Sequence, residues 1–196
     1  QQALSIARDL LDDPLCVDQQ RLHSLRLASV ALSETARFAE ARRAYSNAID
    51  LAAVLGDQDE LHFNRNNLAL TVLIPLGDLE AADNYLRAEI EHFAGSPGQR
   101  LRSLTAWCDL CTARGDWPEL TSTLAEWRQL QDQMEVAETG DTLWLSFYEA
   151  VLAAGERRYD DAWRHATRMR ELTSERPLAT LSLTWLECRL LRLQSR

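Results

Sequence analysis

The residues best spaced for chemistry in this 196-residue chain are Cys108 and Cys111, a Cys-x-x-Cys pair. Thiolate redox exchange and zinc binding both use that spacing. Zinc needs two more ligands, and no second cysteine pair is present; Cys16 and Cys188 stand alone. Redox use wants the pair at a helix N-terminus beside a βαβ unit, whereas this one falls inside a helical pattern. Cys also serves as a small core residue, and packing is the expected role. The histidines His23, His62, His92 and His165 are scattered, with no ligand-type residue three or four positions on. The carboxylate pairs Asp12-Asp13 and Asp160-Asp161 fall at expected helix ends, where carboxylates cap. No nucleophile elbow, P-loop or dinucleotide fingerprint is present. The chain is expected to be no enzyme, with no cofactor and no metal. All six Trp lie beyond residue 106, and Trp144, Phe147 and Tyr148 cluster on one short stretch. They read as core packing or as an aromatic surface for a peptide or another subunit.

The elements that must position these residues are helices. Leu numbers 34 and Ala 26, against 10 for Val and Ile together. Leu and Ala lose little side-chain freedom in a helix, and β-branched residues lose more. Seven Gly and five Pro are too few for the many turns of an all-β chain.

The chain also aligns with itself. Arg37-Phe38-Ala39-Glu40-Ala41, Asp78-Leu79-Glu80-Ala81-Ala82, Asp116-Trp117-Pro118-Glu119-Leu120 and Arg158-Tyr159-Asp160-Asp161-Ala162 share a large residue, an acid, then Ala or Leu. The large residues Phe38, Leu79, Trp117 and Tyr159 are spaced by 41, 38 and 42. Gly77-Asp78 and Gly115-Asp116 precede two of them directly. Gly ends a helix in the left-handed conformation without strain; the bulky residue fills the corner, and the small residue lets the second helix approach.

This pattern resembles the tetratricopeptide repeat in a long-period variant like the helical-repeat domains of bacterial regulators. Leu68-Ala69 through Ala82 matches best; Leu120 departs from the small-residue position, and Gly155 falls early in the fourth copy. The resemblance implies an all-α right-handed superhelix of stacked antiparallel helix pairs, with about four repeats plus flanking helices. The helix pairs are expected at 19–35 with 38–55, 59–76 with 79–94, 98–114 with 117–136, and 141–155 with 159–173. Repeats then run 19–56, 57–95, 96–137 and 139–174, with a half-repeat at 1–13 and a terminal helix at about 177–194, as one domain. Asp57 and Glu60 read as a capping box, Ser96-Pro97 as an N-cap with a first-turn Pro, and Pro75 as a kink. A start at Gln1 and half-repeats at both ends lead to the expectation of a segment of a longer protein.

In such a stack the first helix of each pair lines the concave face. By register with the second repeat, His23, Arg26, Asn64, Asn67, Thr71, Arg102, Thr105 and Asp109 are the groove candidates. An Asn amide both donates and accepts to a peptide backbone, and Arg holds carboxylates in bidentate pairs. The family's carboxylate clamp uses Lys and Asn, and this chain has no Lys among its 21 basic residues. The all-Arg usage suits a GC-rich bacterial coding sequence. Residues 1–98 carry 8 Arg against 15 acids and residues 99–196 carry 13 against 15, so neither half has the positive field that nucleic acid requires. No apolar run reaches the length of a membrane span, and a cytoplasmic setting is expected. The expected role is a non-catalytic, regulatory interaction module that binds a protein, a peptide or its own copy. The alternatives are a small-molecule sensor pocketed at Trp144, Phe147 and Tyr148, and a redox or metal switch at Cys108 and Cys111.

Overall fold

The computed structural model describes Ser5 and residues 17–134, 139–173 and 177–194. The half-repeat expected at 1–13 therefore lies, Ser5 apart, outside the described residues. Among the described residues the chain forms nine helices and no strand. They are α1 (Asp18–Glu34), α2 (Phe38–Leu55), α3, α4 (Leu79–His92), α5 (Pro97–Arg114), α6 (Trp117–Met134), α7 (Thr139–Gly155), α8 (Tyr159–Leu172) and α9 (Pro177–Gln194). Helix α3 runs in three segments: Gln58–Leu68, a π-helical Ala69–Leu73, and Ile74–Leu76. The chain divides into two compact units, Gln1–Ala94 and Gly95–Arg196, and within each unit consecutive helices pack as antiparallel pairs. Within the first unit α1 also packs on the π segment of α3. Within the second, α5 packs on α7 and α7 on α9. First helices thus stack on first helices, which is how a repeat array propagates.

The turn between paired helices is built the same way four times. One or two residues after each first helix a residue is left-handed: Ala36 (φ 56°), Gly77 (φ 77°), Gly115 (φ 67°) and Arg157 (φ 63°). The next amide then bonds back across the cap, Arg37 to Leu32 O, Asp78 to Leu73 O, Asp116 to Cys111 O and Arg158 to Ala153 O, at 2.8–2.9 Å. This is the Schellman arrangement. The corner residue that follows starts the second helix. Three positions on, Ala41, Ala82, Leu120 and Ala162 are all at 0% exposure. Leu120 occupies the small-residue position of the third repeat without leaving the core.

Gly155 has a packing reason. A Cβ there would lie 2.6 Å from the indole ring of Trp117, the corner residue of the preceding pair. The glycine of the fourth copy therefore stands where the Trp needs room, and Arg157 takes the left-handed position.

Asp57 accepts the Glu60 amide at 3.1 Å, as a cap should. The Glu60 carboxylate leaves the cap and pairs with Arg26 at 2.6 Å. Ser96 sits at the N-cap position but makes no side-chain cap bond, and Pro97 opens α5. Pro75 does not break α3. It lacks an amide hydrogen and its ring crowds the carbonyl four residues back; the π segment just before it widens the helix there, closing Ile74 N–H onto Ala69 O. A π insertion adds one residue to a helix, and that shifts the register of everything before it.

The first unit holds a core of Leu22, Leu25, Ala48, Ala52 and Leu61. A larger core in the second unit runs from Leu143 through Ala150, Ala153, Ala166 and Met169 to Leu186 and Leu190.

Candidate functional site

The first helices share one register. Ser29, Cys108 and Ala150 each stand seven residues before the left-handed residues Ala36, Gly115 and Arg157, and all three are 0% exposed. They are the close-contact positions of α1, α5 and α7. Cys108 is thus one of a series of small, fully buried residues, and Cys111 is buried beside it. Burial, with Asp109 and the neighbouring thiol adding negative charge, pushes the Cys108 thiol far above its usual range. Burial together with Glu119 and Asp116 pushes Cys111 up to about 12. Both thiols are held protonated, against thiolate chemistry. Among the described residues no group of three His, Cys, Asp or Glu side chains is placed to hold a metal ion.

In α3 the equivalent small residue is Ala69, at 0% exposure and eight positions before Gly77. The extra residue is the π insertion. Counting back from the small residue, the partly open positions are His23 and Arg26 on α1, Phe63 and Asn66 on α3, Arg102 and Thr105 on α5, and Trp144 and Phe147 on α7. The expected groove residues of α3 are therefore displaced by one. Asn64 is fully buried and donates its amide to Glu60 O at 2.7 Å, so it faces no partner. Asn67 is half-buried and donates to Phe63 O at 2.8 Å. Thr71 turns toward the second helix, bonding Asn67 O at 2.8 Å and approaching the Tyr45 hydroxyl at 3.4 Å. Phe63 and Asn66, both partly buried, hold the equivalent positions on α3. The sequence carries no plain mark of a π insertion, although Pro75 just beyond it is a cue.

In the first unit the open positions meet a buried carboxylate. Arg26 bonds Glu60 while its guanidinium lies 4.0 Å from the Phe63 ring centroid. His23 Nδ1 stands 4.0 Å from the same carboxylate, which also accepts from Asn64 at 3.3 Å. The first-helix candidates His23 and Arg26 are thus brought together, around Glu60 and Phe63. On another side of α3, buried His62 bonds Glu89 at 2.8 Å and stacks on His92 at 3.8 Å between ring centroids. Burial raises the Glu89 carboxyl despite the His62 hydrogen bond. Neither residue follows from spacing along the chain, because the pair forms between two helices.

In the second unit Arg102 is exposed and Thr105 half-buried, its hydroxyl bonded to Leu101 O at 3.2 Å. Asp109 is partly buried; desolvation lifts its carboxyl to about 6, although the Tyr148 hydroxyl donates to it. Tyr148 is 3% exposed and faces Trp127 and Asp109, so it belongs to the wall beneath the aromatic surface. Trp144 and Phe147 stay partly open, in edge contact at 5.8 Å. Phe147 also reaches Trp185 of α9 at 6.2 Å. Together with Leu181 and Ser182 they line a shallow open pocket of about 390 Å³. Trp185 was not singled out by spacing, since the terminal helix has no aligned copy to set its register. Close by, burial opposes ionisation of Glu149, but hydrogen bonds from His165 and Arg128 outweigh it and hold the carboxyl low.

These observations define an all-α helical-repeat protein of stacked antiparallel helix pairs, each unit of which keeps a partly open, partly aromatic side on its first helices. No protein-family model matches the chain, and no curated protein matches it.

Proposed function

We propose that the chain is a non-catalytic interaction module of the tetratricopeptide type, a regulatory segment of a larger bacterial protein, that binds a peptide or protein on the open face of its first helices. The observation that carries this reading is the repeated register. In every first helix from α1 to α7 a small residue is fully buried, and the residues three and six positions earlier are exposed or only partly buried. Within each unit, side chains presented at one repeated position on neighbouring first helices suit a peptide segment, whose own side chains recur at a fixed rise. Selection of displayed random peptides on the folded chain tests it. Binders whose capture is lost on Phe147→Ala or Arg102→Ala, and kept on Arg168→Ala of the exposed side of α8, support the reading. Failure to enrich any peptide, or binders indifferent to Phe147 and Arg102, contradicts it.

A second reading, small-molecule sensing, draws support from the pocket at Phe147, Leu181, Ser182 and Trp185. Apolar, aromatic-lined concavities of that volume suit small ligands. Thermal unfolding with a metabolite panel separates the two, because a ligand bound only by the native state raises the midpoint.

A further inference from the structure

Helix α9 is apolar on two sides. Leu183, Leu186 and Leu190 are buried in the core of the second unit. Leu181, Trp185 and Leu191 are 67%, 50% and 59% exposed, and Thr184 and Cys188 between them are exposed as well. At about 100° per residue the two sets fall on opposite sides of the helix. The outer side of α8 presents Arg164, Thr167 and Arg168 instead. Three of the eight large hydrophobic side chains exposed among the described residues stand on α9. A helix apolar on opposite sides belongs in an interior, and a contiguous exposed apolar patch marks an interaction surface. The outer residues Leu181, Thr184, Cys188 and Leu191 are spaced by 3, 4 and 3 positions, the period with which paired helices keep one seam in contact.

We infer that the outer stripe of α9 pairs with the same stripe of a second copy of this chain, the two helices parallel and in register about a two-fold axis. Like then meets like along the seam: Leu181, Thr184, Cys188 and Leu191 each face their own counterpart, and none of the four carries a charge. The edges set the direction. Glu187 borders the stripe on one side and Arg189 on the other. A parallel pair lays the Glu187 edge of each copy beside the Arg189 edge of its partner, whereas an antiparallel pair lays like charge beside like. Arg170 bonds one oxygen of Glu187, and a carboxylate accepts through both. The area suits a reversible dimer. Eighteen residues make a helix about 27 Å long. Its exposed side covers roughly 500 Å² per copy, about 1,000 Å² in all, which is the lower bound for a specific interface. Pairing is therefore expected in the micromolar range. This contact lies on the outer side of α9 and is separate from peptide binding on the first helices α1 to α7.

Sedimentation velocity of the full chain from about 1 to about 200 μM tests it. A shift from monomer to dimer with a micromolar midpoint is expected. Leu181→Glu with Leu191→Glu sets like charges against each other across the seam. That variant is expected to stay monomeric throughout, an affinity loss of about a hundredfold or more, with circular dichroism unchanged because both residues are exposed. Disulfide formation in a Cys16→Ser background reads the register. With diamide as oxidant, two Cys188 thiols give it two electrons and two protons and form one S–S bond between copies, while Cys108 and Cys111 are buried within each chain. The crosslinked dimer is expected to disappear on Cys188→Ser and on the double Glu substitution. A chain that stays monomeric across the whole range overturns the inference, and so does a dimer that survives the double Glu substitution. A dimer that this substitution abolishes, but whose Cys188 thiols do not crosslink, overturns the parallel register on which the pairing is argued. The displayed-peptide selection reads the first helices and decides the peptide-binding proposal independently.

Discussion

Replacing Gly155 by Ala sets two effects of known sign against each other. At Gly155, the last residue of α7, Ala is favoured over Gly by at most about 1 kcal/mol, because the unfolded chain loses less freedom. Against it stands the Trp117 ring, with atoms 2.6–2.7 Å from the position of the new Cβ. Carbon atoms in contact sit about 3.5–4.0 Å apart, so ring or helix must move by about 1 Å. Trp117 is a flat, stiff side chain packed against the α7–α9 core, and overpacking of that kind costs typically about 1–3 kcal/mol and occasionally more. The two terms leave a net loss of about 0–2 kcal/mol, and a stiff indole that must be displaced by about 1 Å puts the expectation in the upper half, about 1–2 kcal/mol. For a unit of about 100 residues each kcal/mol lowers the melting midpoint by roughly 4–8 °C. Urea and thermal unfolding of Gly155→Ala measure it. In a Trp117→Leu background the ring is gone, and the same Gly155→Ala change should become neutral or stabilising, a coupling that a double-mutant cycle reads directly. A single variant as stable as the parent, or an equal loss in both backgrounds, would refute the assignment of Gly155 to the Trp117 contact.

Ala36→Gly and Arg157→Gly relieve left-handed strain and should each stabilise by a few tenths to about 1 kcal/mol in urea unfolding, while Gly77→Ala and Gly115→Ala lose about 1 kcal/mol. Asp109 has a carboxyl raised to about 6 when folded, so its contribution is fully present below the unfolded value near 3.8 and is lost as pH rises through about 6. Asp109→Asn should therefore match the parent below about pH 4 and exceed it by up to roughly 3 kcal/mol at pH 7, as read by urea midpoints across that range. In a Cys16→Ser background one thiol, Cys188, should react rapidly with a thiol reagent at pH 8, with Cys108 and Cys111 slow until the chain unfolds. Rapid labelling of three thiols would reopen the redox reading.

The helices were legible because their punctuation is local. The expected 38–55 and 117–136 are observed as Phe38–Leu55 and Trp117–Met134, with Gly56 and Gly115 ending helices α2 and α5 as left-handed caps. Residues whose roles depend on a partner helix were not legible. Asn64 and Phe63 are neighbours in sequence, and only the π insertion ahead of Pro75 decides which of them faces outward. Glu60 looked like a cap residue, yet Arg26 on another helix claims its carboxylate. Tyr148 shares a stretch with Trp144 and Phe147 but points into the core, because residues one apart on a helix lie about 100° apart. The Cys-x-x-Cys pair misleads in the opposite direction: its spacing suggests chemistry, while its burial makes Cys108 the counterpart of Ser29, Ala69 and Ala150.

The most direct test of the central claim is photo-crosslinking with a peptide obtained from the displayed library, using a benzophenone amino acid installed in turn at Phe147 and at Thr167, exposed on α8. The first-helix account predicts adducts from position 147, abolished by excess unlabelled peptide, and background at position 167. Equal crosslinking at both positions, or adducts confined to 167, would contradict it.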